Sequence, residues 1–276
     1  MLAALIIVFR EVFEAGLIVG IVLAVTGSVP HRIRWIGGGV LAGVAAAFLV
    51  AAFAGALSQL FEGMGQELFN AAILGVAVVM LTWHNVWMAR HGKEIAGEMV
   101  AVGRAVAEGS KPMFALAVVV GVAVLREGSE VVLFLYGVAA SDGGSALSLT
   151  IGGVLGLLLG GTVCLLTYLG LVRIPPRALF ATTTVLITLL AAGMAAQAVG
   201  FLERANWLTS LDTVVWDSGW LLSEASIPGR ALHTLIGYTD QPTEMQLLVY
   251  LAVLVVTFVL MRLIASERQG QAVAAS

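Results

Sequence analysis

The sequence predicts an all-α integral membrane protein of seven transmembrane helices, N-terminus outside and C-terminus cytoplasmic. Three observations carry that reading: a composition too apolar for water, seven apolar stretches of membrane-spanning length, and an arginine–glutamate motif that recurs 116 residues further on. The 276-residue chain is 60% hydrophobic and 11% charged, with a mean hydropathy of +1.01. A soluble domain carries about 25% charged residues. These side chains cannot cover a surface in water, so membrane lipid is the expected surrounding. A net charge of −3, with Lys93 and Lys111 the only lysines, leaves no basic patch for nucleic acid. The single cysteine, Cys164, excludes an internal disulfide and reads as an inert packing residue.

Apolar runs of about 20 residues read as membrane helices. The first covers 2–25. It lacks a basic leader, and Arg10-Glu11 interrupts the part a signal peptide would keep purely apolar, so it stays as a mature helix. The second and third cover 35–58 and 67–89. The stretch 90–112, with Glu94, Glu98 and Glu108 among basic residues, reads as a solvated cytoplasmic helix. The fourth, fifth and sixth helices cover 113–139, 147–170 and 178–200. In the outer segment, 201–245, Trp207, Trp216 and Trp220 fit an interfacial helix lying on the membrane. The seventh helix covers 246–264, and 269–276 reads as a disordered tail. All of 1–276 forms one membrane domain: 1–112 as a three-helix unit with its loop, 113–200 as a second unit, 201–245 outside, and 246–276 as helix 7 and tail.

Sidedness follows from the loops. Arg32, Arg34, Arg90, Lys93, Arg104, Lys111, Arg173, Arg177, Arg262 and Arg268 fall on one side. The other side holds Arg204 and Arg230 against nine acids. The positive-inside rule makes the first side cytoplasmic, and the inner membrane is the expected location. "WIGGGVLAG" (35–43) resembles "TIGGVLG" (150–156) at a shift of 115, and 67–76 resembles 178–187 at a shift of 111. Helices 1–3 and 4–6 therefore read as one unit used twice. Three helices per unit is odd, so the copies are inverted, a transporter plan with its site near the midplane. Small residues at fixed spacing (Gly16 and Gly20; Gly39 and Gly43; Gly152, Gly156 and Gly160) predict close helix packing.

The recurring motif is R-E-x-x-E: Arg10, Glu11 and Glu14 in helix 1, and Arg126, Glu127 and Glu130 in helix 4. The two glutamates of each motif are i,i+3 neighbours and can face one partner, while the arginine can pair with the glutamate four residues on. A charge at the bilayer centre costs a few kcal/mol even on lenient scales, so six charges must face one another or water. Four carboxylates against two guanidiniums leave an excess of negative charge that invites a cation. The candidate metal ligands are thus Glu11, Glu14, Glu127 and Glu130, with Arg10 and Arg126 as supporting charges. Oxygen ligands suit hard cations, and protons are a further possible cargo.

At these residues the chain resembles the oxidase-dependent iron permeases, the ferric permeases of fungi and their bacterial EfeU-type relatives. "REVFE" and "REGSE" carry the resemblance, and "QELFNAAILGVAVVMLTWHNVWMAR" and "VWDSGWLLSEASIPGRALHTLIGY" extend it over nearly the whole chain. The resemblance implies uptake of ferric iron as transported substrate, with no permanently bound cofactor and the Arg and both Glu of each motif required. It also implies an extracytoplasmic iron-oxidising or iron-delivering partner. The first motif departs from the commonest form, placing Val12 where Gly128 stands in the second.

Further residues are candidates for an access path: Glu62 and Glu67 at the outer end of helix 3, Asp217 and Glu224 in the outer segment, and Gln197 near the outer end of helix 6. His84 and Asn85, placed toward the cytoplasmic end of helix 3, read as packing residues, and His233 as structural or solvated. No G-x-x-x-x-G-K-[ST], H-E-x-x-H or G-x-S-x-G motif is present. That speaks against an ATPase or a hydrolytic enzyme and leaves a proton-coupled permease for Fe²⁺ or Mn²⁺ as the alternative.

Overall fold

The computed structural model of the protein describes residues 1–60, 66–142, 145–171 and 176–274. Among the described residues the chain forms eight helices: α1 (Leu2–Val25), α2 (Arg32–Leu60), α3 (Gln66–Ala107), α4 (Phe114–Asp142), α5 (Ala146–Tyr168), α6 (Pro176–Arg204), α7 (Ile227–Ile236) and α8 (Glu244–Ala274). Five are long and apolar enough to cross a membrane, over Arg32–Ala56, Gln66–Gly92, Ala146–Tyr168, Leu179–Arg204 and Glu244–Leu263. The other two long helices, α1 and α4, have the length but each carries three charged residues at its middle. The chain is a multi-pass membrane protein.

α3 runs past its apolar part without a break, because 66–107 contains no proline and its polar part carries four alanines with Glu94, Glu98 and Met99, all good helix formers. Gly109, at φ 76, takes the left-handed turn just beyond its end. The outer segment corrects an expectation. Its helix, α7, begins after Trp220, capped by Ser226, whose Oγ accepts from Gly229 N at 3.0 Å. Trp207, Trp216 and Trp220 lie before it in turns and a bridge joining Val214 to Thr243. Asp212, Asp217, Ser218, Gly219 and Ser223 are turn formers, and they win there over the amphipathic pattern. A second expectation also fails: α8 continues to Ala274 through the stretch read as a disordered tail. Ala, Glu, Arg and Gln propagate a helix already nucleated.

The two charged helices are the inner ones. α1 packs on α3, α4, α5 and α6, and α4 on α1, α2, α3 and α6. α2, α5 and α8 turn apolar side chains outward, among them Phe48, Phe53, Leu158, Val255 and Phe258. Their outward faces are suited to lipid.

Glycines allow the closest approaches. On the α2–α4 seam a Cβ at Gly39 would meet Ala117 O at 2.5 Å, one at Gly43 would meet Gly121 O at 2.6 Å and Val124, and one at Gly128 would meet Ala47. On the α5–α1 seam Gly152 lies against Met1, Gly156 against Leu5 and Val8, and Gly160 against Val12. Adding 116 to the α1 numbers and subtracting 113 from the α5 numbers turns the second set of contacts into the first. The register between α2 and α5 is thus 113, not the 115 suggested by the similarity of their sequences. It also accounts for Val12. At that contact the small residue sits on α5 as Gly160, whereas in the other seam it sits on α4 as Gly128, facing Ala47.

Candidate metal centre

Each motif falls at the middle of its helix: residues 11 and 14 within 2–25, and 127 and 130 within 114–142. The α1–α4 packing brings them together. Arg10, Glu11, Glu14 and Glu127 are each no more than 2% exposed. Arg10 donates from Nε to Glu14 Oε1 at 2.8 Å and from Nη1 to Asn85 Oδ1 at 2.8 Å. Asn85 in turn reaches Thr188 Oγ1 on α6 at 3.5 Å. Arg126 donates from Nε to Glu130 Oε1 at 3.2 Å and lies 3.7 Å from Glu127 Oε1. Both intrahelical i,i+4 pairs expected from the motif are formed.

The two arginines differ in setting. Arg10 is sealed in the bundle, whereas the Arg126 side chain is 32% exposed. Arg126 stacks 4.1 Å above the Trp87 ring and points Nη2 at Met88 Sδ, 3.5 Å away.

α3 supplies the third wall. His84, 4% exposed, lies between the two motifs. Its Nδ1 pairs with Glu130, and its Nε2 lies 3.9 Å from Glu11 Oε2 and 3.7 Å from Glu14 Oε2. One ligand atom from each of Glu11, His84, Glu127 and Glu130 falls within 4.8 Å of the others. Both oxygens of Glu11, Oε2 of Glu14, Glu127 and Glu130, and Nε2 of His84 are buried without a hydrogen-bond partner. Buried polar atoms are seldom left unsatisfied, and here the unsatisfied ones converge. Three carboxylates and an imidazole in one buried spot can hold a transition-metal cation.

His84 and Asn85 are the residues that sequence reasoning placed in packing roles. The structure puts both in the charged centre, His84 facing the carboxylates and Asn85 facing Arg10. Their helix face stands out only once the fold shows which side of α3 is buried. Leu74, Ala77, Val78 and Leu81 are all buried at spacings of three and four, and His84 and Asn85 continue that face.

The access-path candidates separate. Glu62 lies outside the described residues. Glu67 is 3.9 Å from Arg204. Asp217 is committed to its own loop, accepting from Gly219 N and Gln241 Nε2 at 2.9 Å each. Gln197 and Glu224 border a cavity of about 1420 Å³ where the helix ends meet, with Arg204, His233 and Asp240. His233 joins them, Nε2 to Gln197 and Nδ1 to Glu224 at 3.1 Å.

Along each inner helix the order from this vestibule is the same. Leu2, Ser141 and Gln197 border it; then comes a buried apolar layer containing Ile7, Leu74, Phe134, Ile187 and Met194; then the charged centre. From Leu2 to Glu11 is roughly 13 Å of helix. On the far side a second apolar layer, with Val22, Leu116, Val120 and Val124, closes the bundle.

The family model described as the iron permease FTR1 family matches residues 1–270. The chain is similar to the ferrous iron permease EfeU of Yersinia pestis, 30% identical over 280 residues that cover 100% of this chain and 98% of the relative. It is likewise similar to the ferrous iron permease EfeU of Escherichia coli O6:H1 (strain CFT073), 32% identical over 267 residues, covering 94% of this chain and 96% of the relative. The same holds for that of Shigella sonnei (strain Ss046), 30% identical over 259 residues, covering 92% and 93%. No solved structure matches the chain.

Proposed function

The chain belongs to the iron permease FTR1 family, and we propose on that premise that it carries ferric iron across the cytoplasmic membrane through the carboxylate centre between α1 and α4. The observation that carries this reading is the convergence of Glu11, Glu127 and Glu130 with His84 from three helices, beside Glu14, each with a buried atom left without a hydrogen bond. All seven long helices span the membrane, with the N-terminus outside and α8 ending in the cytoplasm. The matched glycine contacts support an inverted repeat of α1–α3 and α4–α6. In this reading α1 and α4 are equivalent partners at the midplane.

Iron delivered by an extracytoplasmic partner gathers in the vestibule at Glu224 and Gln197, with Glu62, Glu67 and Asp217 as outer acids on its approach. The glutamates of the centre replace part of its water shell. Arg10 and Arg126 hold Glu14 and Glu130 in place and limit the standing negative charge, so the ion can leave. Apolar layers on both sides keep the centre closed, and rocking of one repeat against the other opens them in turn. The driving force is the membrane potential, a proton gradient or coupling to oxidation outside.

A second reading, transport of Fe²⁺, is favoured by the imidazole of His84 in the donor set. Imidazole suits iron, while oxygen-only sites suit harder ions. The similar proteins, named ferrous iron permeases, point the same way. Radiolabelled iron uptake in an iron-starved host tests both. Wild type is compared with Glu14→Gln and Glu130→Gln at matched membrane abundance, with iron given as ferric citrate or kept reduced by ascorbate. Loss of one charged ligand costs more than about 1.4 kcal/mol in the transport barrier, so uptake falls at least about tenfold in each variant. Uptake unchanged in both variants removes the site. Uptake that persists only with ascorbate transfers the proposal to Fe²⁺.

A further inference from the structure

We infer that His84 is a metal ligand through Nε2, and that Glu130 acts through it as the carboxylate that fixes its ring. This rests on the glutamate centre being the iron site, and it divides the labour within that centre.

Glu130 Oε1 accepts from Arg126 Nε, and its Oε2 lies against His84 Nδ1 as an ion-pair contact without an aligned hydrogen bond. A carboxylate at Nδ1 makes that nitrogen the N–H donor, so Nε2 carries the lone pair. That lone pair is buried, receives no hydrogen bond, and faces Glu11 Oε2 at 3.9 Å and Glu14 Oε2 at 3.7 Å. Three electron-rich atoms face one another across a gap that two bonds of roughly 2.1 Å would span, the usual length of first-row metal bonds to nitrogen and oxygen. A cation in the gap turns the repulsion into coordination. Metal-ligating histidines commonly donate their other N–H to a carboxylate, which fixes the tautomer and orients the ring. The Phe134 ring stands edge-on at 82° to the imidazole, 6.2 Å between centroids, and adds a steric stop. Glu11 with both oxygens, and Glu14 and Glu127 with Oε2, are left without hydrogen bonds and complete the ligand set.

The nitrogen has a consequence for selectivity. Carboxylates alone suit Mg²⁺, Ca²⁺ and Mn²⁺, whereas imidazole favours iron and its later neighbours. His84 is thereby the residue that distinguishes iron from the hard divalent ions.

Iron K-edge X-ray absorption on the full chain in lipid nanodiscs tests this, loaded in parallel with ferric citrate and with anaerobic ferrous sulfate. Wild-type iron shows the multiple-scattering pattern of a bound imidazole. In His84→Gln the pattern disappears, iron binds at least about tenfold more weakly, and Mg²⁺ competes better. In Glu130→Gln the imidazole pattern remains while affinity falls about 10–100-fold, as expected for an outer partner of a ligand. Iron that depends on Glu127 but shows only oxygen neighbours in wild type overturns the role of His84 and leaves the glutamate site standing. Iron binding that none of the glutamate or His84 variants changes overturns both.

Discussion

Arg10→Leu leaves the chain unable to accumulate in the membrane, whereas Arg126→Leu accumulates near the wild-type level and fails only in transport. The motifs are identical in pattern, and the difference comes from their surroundings. Arg10 is 2% exposed and holds Glu14 and Asn85 at 2.8 Å each. Removing it strands a carboxylate among three others at the midplane. Breaking a buried ion pair costs about 3–5 kcal/mol, a large share of the roughly 5–15 kcal/mol that keeps a domain folded. Arg126, with its side chain 32% exposed, is partly solvated, so its loss strands less charge. Membrane abundance and thermal unfolding in detergent, with iron uptake at matched abundance, separate the two variants. Equal stability of both would show that the asymmetry of the arginines has no energetic weight.

Gly156→Leu drives α1 away from α5, and iron uptake and stability fall together. A Cβ there would lie 2.6 Å from Leu5 O and 2.9 Å from Phe9 N. These are main-chain atoms of a helix and cannot yield singly, so α1 moves as a unit and takes Glu11 and Glu14 with it. Overpacking of this kind costs about 1–3 kcal/mol even where only side chains resist. Gly43→Leu does the same to α4, since a Cβ there meets Gly121 O at 2.6 Å. Gly38→Leu is the control, with nothing within 4 Å of its Cβ. Unfolding temperatures and uptake for the three variants check this; a tolerated Gly156→Leu would mean the seam is loose.

The charged centre was half legible in the sequence. Arg and Glu inside apolar helices have no stable place except against each other, so their meeting followed from cost alone, and the two helices that carry them are the buried ones. His84 was not legible in the same way. α3 is apolar on nearly every side, with Val76, Val79 and Trp83 as greasy as the buried Leu74, Val78 and Leu81. Periodicity therefore could not say which face looks inward, and a single histidine on an undetermined face reads as packing. The vestibule shows a different limit. Side chains from α1, α4, α6 and the outer segment come together there only after folding, and no local spacing announces it. The glycine seams were visible as spacing. Their register was not, because runs of glycine align almost equally well at 113 and 115.

The most direct test is iron binding to the purified full chain in lipid nanodiscs, by radiolabelled iron at equilibrium, comparing wild type with the double variant Glu11→Gln/Glu127→Gln. These two residues come from different helices, α1 and α4, and each leaves at least one buried oxygen unsatisfied in the centre. Wild type is expected to bind iron saturably, and the folded double variant to bind at least about a hundredfold more weakly, two losses of roughly 1.4 kcal/mol or more each. Equal binding by the two proteins would contradict a site shared between α1 and α4.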